Sequence, residues 1–184
     1  MASASLRTPA PFPGERADRM QTPALLAERG FFLRALCDAD MPWLCDLYAS
    51  TRSDEMAWAP WPDQVKRQFI EQQFLLQHQH YLGHHGEASF LAIEHRNLGP
   101  VGNFYLLQTP PEHLIIHISL LPKMRGSGLG SALIQHTQAD AAALGHGVRL
   151  HVLTTNTRAH ALYERLGFIT EASEGAHLSM HWRP

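Results

Sequence analysis

The sequence LPKMRGSGLG, residues 121–130, joins a strongly β-forming run to a segment with helical spacing. The β-forming run is HLIIHISLL, residues 113–121, and the helical spacing extends over residues 127–144. Glycines lack Cβ atoms, so backbone N–H groups can approach a bound anion closely. The N-terminus of the following helix adds unpaired N–H groups and the positive end of a dipole. The stretch therefore predicts a phosphate-binding turn, with Arg125 adding a positive charge at its mouth.

The spacing of the glycines excludes two common phosphate-binding motifs. A P-loop requires Lys followed by Ser or Thr after its last glycine, whereas Gly130 is followed by Ser and Ala. A dinucleotide fingerprint, Gly-x-Gly-x-x-Gly, places its third glycine where this chain has Ser131 or Leu133, depending on the starting glycine. The spacing that remains is Arg-x-x-Gly-x-Gly, residues 125–130.

Two motifs resemble those of the GNAT superfamily of N-acetyltransferases. Residues 125–130 resemble the family's pyrophosphate-binding signature, Gln/Arg-x-x-Gly-x-Gly/Ala, between the fourth strand and the next helix. Residues 156–168, NTRAHALYERLGF, resemble its second motif, Asn-x-x-Ala-x-x-x-Tyr-x-x-x-Gly-Phe, after the fifth strand. One motif alone is weak, but both in the family's order make a strong signal.

Strand-like and helix-like segments also follow one another in an order that fits the family. Residues 1–28 are rich in Pro, Ala, Ser and Arg and predict an irregular or disordered arm, whereas residues 29–184 predict a single domain. The predicted strands are residues 30–36, 88–95, 100–108, 113–121, 148–154, 168–171 and 177–182, and the predicted helices are residues 41–53, 62–82, 127–144 and 157–166. The resemblance implies a mixed α/β GNAT fold: a mostly antiparallel sheet of about seven strands, flanked by about four helices, with strands four and five splayed apart.

The resemblance implies acetyl-CoA as cosubstrate. The pantetheine arm is expected between the splayed strands, where a backbone N–H polarises the thioester carbonyl. Tyr163 stands where the family has the general acid that protonates the departing thiolate, although its spacing also fits a core residue. The expected cofactor contacts are Leu120, Leu121, Arg125, Gly126, Ser127, Gly128, Leu129, Gly130, Ser131 and Asn156. Asn156 also fits a simple helix cap, and the two roles are compatible.

Several polar residues on or beside the fourth strand are candidates for the general base: Glu112, His113, His117 and Ser119. In a regular strand His113, His117 and Ser119 share one face, although a bulge would change this. His117 is the predicted base because it is central and because free histidine titrates near neutral pH. The alternatives are Glu112, His113, Ser119, bulk water, and a purely structural role for His117.

The acceptor site is expected around the first two predicted helices. Its predicted residues are Glu55, Trp58, Trp61 and Tyr81, because aromatic rings with one carboxylate suit an amine. The same residues also fit a lid packed on the core.

Composition limits the remaining function classes. The formal net charge is −2, which does not favour nucleic-acid binding. No run of about 20 apolar residues and no secretory signal is present, so we expect no membrane partner and a cytoplasmic location. The 13 histidines do not show zinc-ligand spacing, so no metal is expected. A homodimer is compatible with the sequence.

Two hypotheses follow for the function. The first is an N-acetyltransferase that moves an acetyl group from acetyl-CoA directly to a primary amine of a small molecule or peptide. The alternative is a non-catalytic acyl-CoA-binding or regulatory module on the same fold, which an intact phosphate-binding turn does not exclude.

Overall fold

One mixed sheet of seven strands is the centre of the structure, a computed structural model that describes residues 11–14 and 20–184. Its strands are β1 (Phe31–Ala35), β2 (Ser89–His95), β3 (Gly99–Leu107), β4 (Glu112–Leu120), β5 (Gly147–Leu153), β6 (Ile169–Glu174) and β7 (His177–Trp182). They lie in the order β1-β2-β3-β4-β5-β7-β6, and every neighbouring pair is antiparallel except β4 and β5. The predicted mixed, mostly antiparallel sheet is confirmed.

Six α-helices accompany the sheet in the described part of the chain. They are α1 (Ala24–Glu28), α2 (Met41–Thr51), α3 (Ser53–Trp58), α4 (Asp63–His84), α5 (Leu129–Ala143) and α6 (Thr157–Arg165). The four predicted helices correspond to α2, α4, α5 and α6. Helices α1 and α3 were missed because segments of five and six residues are too short to show helical periodicity.

The helices cover the sheet on both faces. Leu26 of α1, Leu133 of α5 and Tyr163 of α6 share one buried cluster with strand residues such as Phe104. Helices α2 and α4 pack on the opposite face, where Leu44 and Phe74 belong to a second cluster together with Phe90 and Tyr105. The sheet therefore separates two sides, one under α5 and one under α2 and α4.

The predicted arm over residues 1–28 is wrong for its last part. Residues 24–28 form α1, and Met20 and Leu26 are 2% and 1% exposed in the core beneath α5. Nearer the N-terminus of the arm, Phe12 is also buried and donates its backbone N–H to the Asp38 side chain. These isolated apolar anchors stand among prolines and charges, so they produce no periodic pattern. Residues 1–10 and 15–19, also part of the predicted arm, lie outside the described residues.

Strands β4 and β5 are splayed, as predicted. Their pairing runs from Glu112–Gly147 to Ile115–Leu150 and ends there, although β4 continues to residue 120 and β5 to residue 153. On its other edge β4 has a bulge, because Tyr105 pairs with His117 while Leu106 pairs with Ile115. The extra residue bends the strand where it leaves β5, which opens a slot between the two strands.

A glycine makes the β3–β4 contact possible beside this slot. A Cβ atom at Gly102 would lie 2.4 Å from the Ser119 backbone oxygen and 2.7 Å from Leu120 Cδ2. Any side chain at residue 102 would therefore push the splayed end of β4 away from β3.

We expect Gly102→Ala to lower the free energy of unfolding by about 1–3 kcal/mol, as overpacking of a tight contact does. Urea unfolding followed by circular dichroism measures the change. The matched control is Gly83→Ala in α4, where nothing lies within 4 Å of the added methyl group and helix propensity improves. Equal stability of the wild type and Gly102→Ala would contradict the close approach.

An ion pair ties the start of α2 to the sheet. Arg34 of β1 donates two hydrogen bonds of 2.7 Å to Asp40, and its Nε donates to Glu94 of β2 at 2.8 Å. Burial alone would raise the pKa of Asp40, but hydrogen bonds from Arg34, the Trp43 indole and the Cys37 amide hold it well below its usual range. The ionised carboxylate therefore stabilises the fold.

We expect Asp40→Asn to destabilise the fold by about 2 kcal/mol at pH 7, because charged hydrogen bonds are lost. The folded pKa of Asp40 is depressed, so its contribution is complete above the unfolded pKa of about 3.9 and declines as the pH falls below it. The difference in the free energy of unfolding between wild type and Asp40→Asn should therefore be smaller by about 1 kcal/mol at pH 3 than at pH 7. Denaturant unfolding at both pH values measures it, and a constant difference would contradict the role of Asp40. Exposed Asp54→Asn in α3 is the control at pH 7.

Candidate active site

The phosphate-binding turn predicted over residues 125–130 has the required backbone geometry. Gly126 and Gly128 adopt φ angles of +78° and +81°, in the left-handed region that favours glycine. The first hydrogen bond within α5 runs from the Ala132 amide to the Gly128 oxygen. The amides of residues 129–131 stand in the first turn of α5, ahead of any intrahelical acceptor, and within the described chain none of them is bonded outside the helix. The turn therefore presents unpaired donors to an anion.

Arg125 is held at the edge of this turn by two backbone carbonyls. Its Nε donates to the Leu120 oxygen at 3.1 Å, and its Nη2 donates to the Ser50 oxygen at 3.3 Å. The side chain thus links the end of β4 to the end of α2. It is braced rather than freely solvated, and its contact with a cofactor remains a prediction.

Two further arginines lie at the turn, and sequence reasoning missed both. Arg29, just after α1, donates from Nη2 to the Ser127 oxygen at 3.1 Å. Arg158 of α6 approaches the other side, since a Cβ atom built on Gly126 would lie 3.6 Å from its Nη2. Arg158 stands inside the second motif and could have been noticed there, whereas Arg29 reaches the turn only through the fold. Together with Arg125 they make the turn strongly positive.

One of the predicted cofactor contacts, Leu121, has its backbone amide paired within the sheet. The Leu121 amide donates to the Val101 oxygen at 2.9 Å, so it is not a free donor for a thioester carbonyl. Successive residues of a strand point their N–H and C=O groups to opposite edges. The backbone groups of Leu120, and of Ile118 two residues earlier, therefore face the slot left by β5. Sequence reasoning predicted Leu120 but missed Ile118. Which residues of β4 turn their backbone groups to the free edge depends on the register with β3, and that register is known only from the structure.

Tyr163 of α6 is buried, with 8% of its surface exposed. Its ring lies 6.0 Å from that of Phe168 between centroids, and burial raises the pKa of its hydroxyl. The hydroxyl is thus protonated at neutral pH, which a general acid requires. Both readings from the sequence, a core residue and a general acid, fit this placement.

Asn156 caps α6. Its Oδ1 accepts a hydrogen bond of 3.1 Å from the Ala159 amide, the side-chain cap that its position in the sequence allowed. Its contact with a cofactor stays a prediction.

A narrow cleft opens on the other side of β4, between the sheet and helices α2 and α4. Its cavity volume is about 20 Å³, within a wider region of about 350 Å³ that includes open solvent. The residues that line it come from α2, α4, β3 and β4: Leu44, Leu47, Tyr48, Thr51, Phe74, Gln77, His78, Tyr81, Asn103, Tyr105, His117 and Ser119. The cleft and the slot therefore flank the same half of β4.

His117 and Tyr81 meet in this cleft. The Tyr81 hydroxyl and His117 Nδ1 are 3.4 Å apart, and which of them donates depends on the histidine tautomer. Burial lowers the pKa of His117 to about 4 and raises that of Tyr81 to about 12, so both are neutral near pH 7. A neutral imidazole can accept a proton, but a group of such low pKa is a weak base toward an alkylammonium ion.

The other predicted bases are separated from His117. The bulge at residue 116 leaves His117 and Ser119 in the cleft but turns His113 to the α5 side, where its Nε2 lies 3.4 Å from His146 Nδ1. Glu112 stands at the far end of β4 and hydrogen-bonds to His181 at 3.0 Å. Of the side chains proposed as a base, only His117 and Ser119 line the cleft.

Three predicted acceptor-site residues lie elsewhere in this structure. Trp58 is 90% exposed at the end of α3, and Glu55 pairs with Arg52 at 3.4 Å. Trp61 packs edge-on against Phe69 with 5.4 Å between ring centroids. None of the three lines the described cleft, whereas Tyr81 does. Short-range clustering in the sequence therefore did not identify the side chains that the helices bring together.

Asn103 is a cleft residue that the sequence did not reveal. It lies on β3, is 5% exposed, and its Oδ1 has no hydrogen-bond partner within the described chain. A buried acceptor left unpaired costs about 1–3 kcal/mol. An Asn within a strand carries no pattern of its own, so only the structure could single it out.

The profile of the Acetyltransferase (GNAT) family matches residues 45–168 of the sequence, about two thirds of the chain and both predicted motifs. The chain belongs to the GNAT family. It is therefore an acetyltransferase of the class that uses acetyl-CoA.

Solved structures share this GNAT fold at low sequence identity. The PaiA N-acetyltransferase of Thermoplasma acidophilum, solved with coenzyme A, aligns with a TM-score of 0.62 and 16% identity over 84% of this chain and 99% of its own. A spermidine N-acetyltransferase of Vibrio cholerae, solved with coenzyme A and spermine, aligns with a TM-score of 0.56 and 21% identity over 84% and 96%. At such identities the likeness concerns the fold.

No group of three or more His, Cys, Asp or Glu side chains is arranged to hold a metal ion in residues 11–14 and 20–184. No helix in those residues is long and apolar enough to cross a membrane.

The turn can be tested with two glycines of similar conformation. Gly128 (φ +81°) and Gly145 (φ +70°) both have open space where a Cβ would stand, but only Gly128 precedes the α5 amides. We expect both alanine variants to lose about 1–2 kcal/mol of stability through backbone strain.

Only Gly128→Ala should also weaken coenzyme A binding, by at least about tenfold, because relief of the strain moves the amides. Isothermal titration calorimetry measures both affinities. Equal affinities in the two variants would show that the turn does not bind the cofactor.

Proposed function

We propose that this protein transfers the acetyl group of acetyl-CoA to a primary amine by direct attack in a ternary complex. The observation that supports this most directly is the position of β4. In the splayed half of β4, the slot lies along the free edge of the strand, and the turn with unpaired amides follows the end of the strand. The cleft, with His117, lies on its face. A cofactor in the slot and an amine in the cleft would meet at one strand.

The positive turn is the proposed site of the cofactor's diphosphate. The amides of residues 129–131 donate to its oxygens, and the α5 dipole and the charges of Arg29, Arg125 and Arg158 oppose its negative charge. The pantetheine arm then extends along Ile118 and Leu120, whose backbone groups face the slot.

Acetyl transfer would need four events at this site. The amine nitrogen attacks the thioester carbonyl carbon, and the N–C bond forms as negative charge develops on the carbonyl oxygen. The Leu120 amide, which faces the slot, would stabilise that oxygen. The C–S bond then breaks, and the Tyr163 hydroxyl protonates the thiolate of coenzyme A. The proton lost by the nitrogen passes to His117 or to water.

The non-catalytic acyl-CoA-binding module remains the alternative. Such a module would bind the cofactor at the same site as the acetyltransferase. The two hypotheses differ only in whether Tyr163 acts as an acid and whether the cleft binds an amine that is acetylated. The expected cytoplasmic location, a homodimer, and the choice between a small-molecule and a peptide acceptor also remain predictions.

The test separates cofactor binding from chemistry. We expect the wild type to bind acetyl-CoA saturably in calorimetry and to release coenzyme A in the presence of an amine. Tyr163→Phe should lower kcat by about 10²-fold, the usual contribution of a general acid, while the cofactor dissociation constant changes by less than about threefold. Absence of binding at millimolar acetyl-CoA would reject the proposal.

Exposed Glu164→Gln, next to Tyr163 on α6, is the control and should keep wild-type turnover. An unchanged kcat in Tyr163→Phe, with chemistry rate-limiting, would reject the general-acid role alone. Binding without acetylation of any amine would favour the alternative module.

A further inference from the structure

The cleft has one feature that the proposed function does not explain, a buried acceptor atom without a donor. Asn103 is 95% buried, it lines the cleft, and its Oδ1 is unpaired among the described residues. Its cross-strand neighbour on β4 is Ser119, next to the Leu120 backbone at the slot. The unpaired oxygen is therefore one residue pair away from the proposed position of the thioester.

Aromatic side chains form much of the wall around Asn103. Among the described residues that line the cleft there is no Asp or Glu. Burial raises the pKa values of Tyr48, Tyr81 and Tyr105, and it lowers that of His117, so these four groups are neutral near pH 7. A cation that entered would lose its hydration without gaining a counter-ion, which is strongly unfavourable.

Attraction of a cation to the ring faces does not offset this loss. The ring of Tyr48, at the side of the cleft, already has a guanidinium over it: Arg52 Cζ lies 5.4 Å from its centroid, and Arg52 Nη1 donates to its hydroxyl at 3.1 Å. The rings of Tyr81 and Tyr105 are perpendicular, with centroids 5.6 Å apart, so they pack against each other edge to face. The arrangement is a narrow slit with the Arg52–Glu55 ion pair at one side, not an aromatic cage for an ammonium ion.

We propose that the acceptor is an uncharged, weakly basic amine on a flat ring, an arylamine, and that Asn103 Oδ1 orients it by accepting a hydrogen bond from its N–H group. This inference rests on the proposed acetyl transfer and specifies its substrate class. The aromatic amine donates one N–H to Asn103 and keeps its lone pair directed at the thioester carbon. A flat aromatic ring matches the aromatic side chains of this narrow cleft, whereas an extended polyamine finds no counter-charge among the described residues that line it.

The weak basicity of His117 agrees with such an acceptor. An arylamine is already unprotonated at pH 7, so it needs no base before it attacks. Only after the N–C bond forms does the nitrogen become acidic, and its proton then passes to His117 Nε2 or water. An alkylamine with a pKa of about 10.4 would instead have to lose its proton before entering.

The first experiment compares two amines of the same ring size, aniline and cyclohexylamine, with spermidine as a polycation. We expect aniline to be the best acceptor at pH 7, with a kcat/KM at least about tenfold above that of cyclohexylamine, because only about one molecule in 10³ of the latter is uncharged. Between pH 7 and pH 9 the kcat/KM of cyclohexylamine should rise about tenfold per pH unit, whereas that of aniline should stay flat.

The second experiment changes Asn103 itself. Asn103→Asp keeps the shape and adds the missing carboxylate, so the ratio of aniline to cyclohexylamine kcat/KM at pH 7 should fall by at least about tenfold. The matched control is Asn97→Asp at the exposed β2–β3 turn, which should keep the wild-type ratio. Calorimetry with coenzyme A checks that each variant retains its cofactor site.

Saturation-transfer NMR of aniline on the wild-type complex with coenzyme A gives a readout that needs no variant and no turnover. Aniline binding together with the expected preference supports the inference. Preference for cyclohexylamine or spermidine at pH 7 overturns it, and so does the absence of aniline binding in protein that binds coenzyme A. A wild type that binds no coenzyme A fails the earlier test instead, and both proposals fall together.

Discussion

The early end of the pairing between β4 and β5 is the constraint on which the rest of the site depends. The two strands are hydrogen-bonded only as far as Ile115 and Leu150, and the bulge at Ile116 follows directly. From that point the free edge of β4 has no strand beside it, although its inner edge remains paired to β3 as far as the Gly102–Leu120 pair. An unpaired edge within a sheet exposes backbone donors and acceptors, and these can bind an extended ligand in the manner of a missing strand.

The same bulge sets which side chains meet on each face. It keeps Ile115 and Ile118 under α5 and places His117 under α4, four residues after a histidine that points the other way. A regular strand would have put His113 and His117 together. Because β4 stays paired to β3 as far as the Gly102–Leu120 pair, and Arg125 joins the end of β4 to α2, the splayed half is held from both sides. We infer that its geometry is fixed before any ligand arrives.

Much of the fold could be predicted because its signals are local. Helical spacing, turn glycines and β-branched runs placed all seven strands and the four long helices, and the two motifs indicated the turn and Tyr163. The predictions that failed, and the residues that were missed, depended on contacts between segments that are distant in the sequence. Leu121 was a predicted cofactor contact, but its amide is paired with the Val101 oxygen across the sheet. Trp58 and Trp61 look like an aromatic site in the sequence, yet α3 and the following turn direct them away from the cleft. Asn103 and Arg29 carry no motif, and only strand register and the packing of α1 bring them to the site.

The two sides of β4 differ in charge in a way that matches two different ligands. Arg29, Arg125 and Arg158 gather at the turn, where a diphosphate has charge to neutralise. Across the strand, Tyr81, Tyr105 and His117 of the cleft are neutral near pH 7, because burial opposes their ionisation. A bound thioester then faces a medium of low polarity in which hydrogen bonds to a developing oxyanion are strong and a charged amine is disfavoured. The separation therefore favours the cofactor's anion on one side and an uncharged nucleophile on the other, and acetyl transfer requires both at the one strand they share.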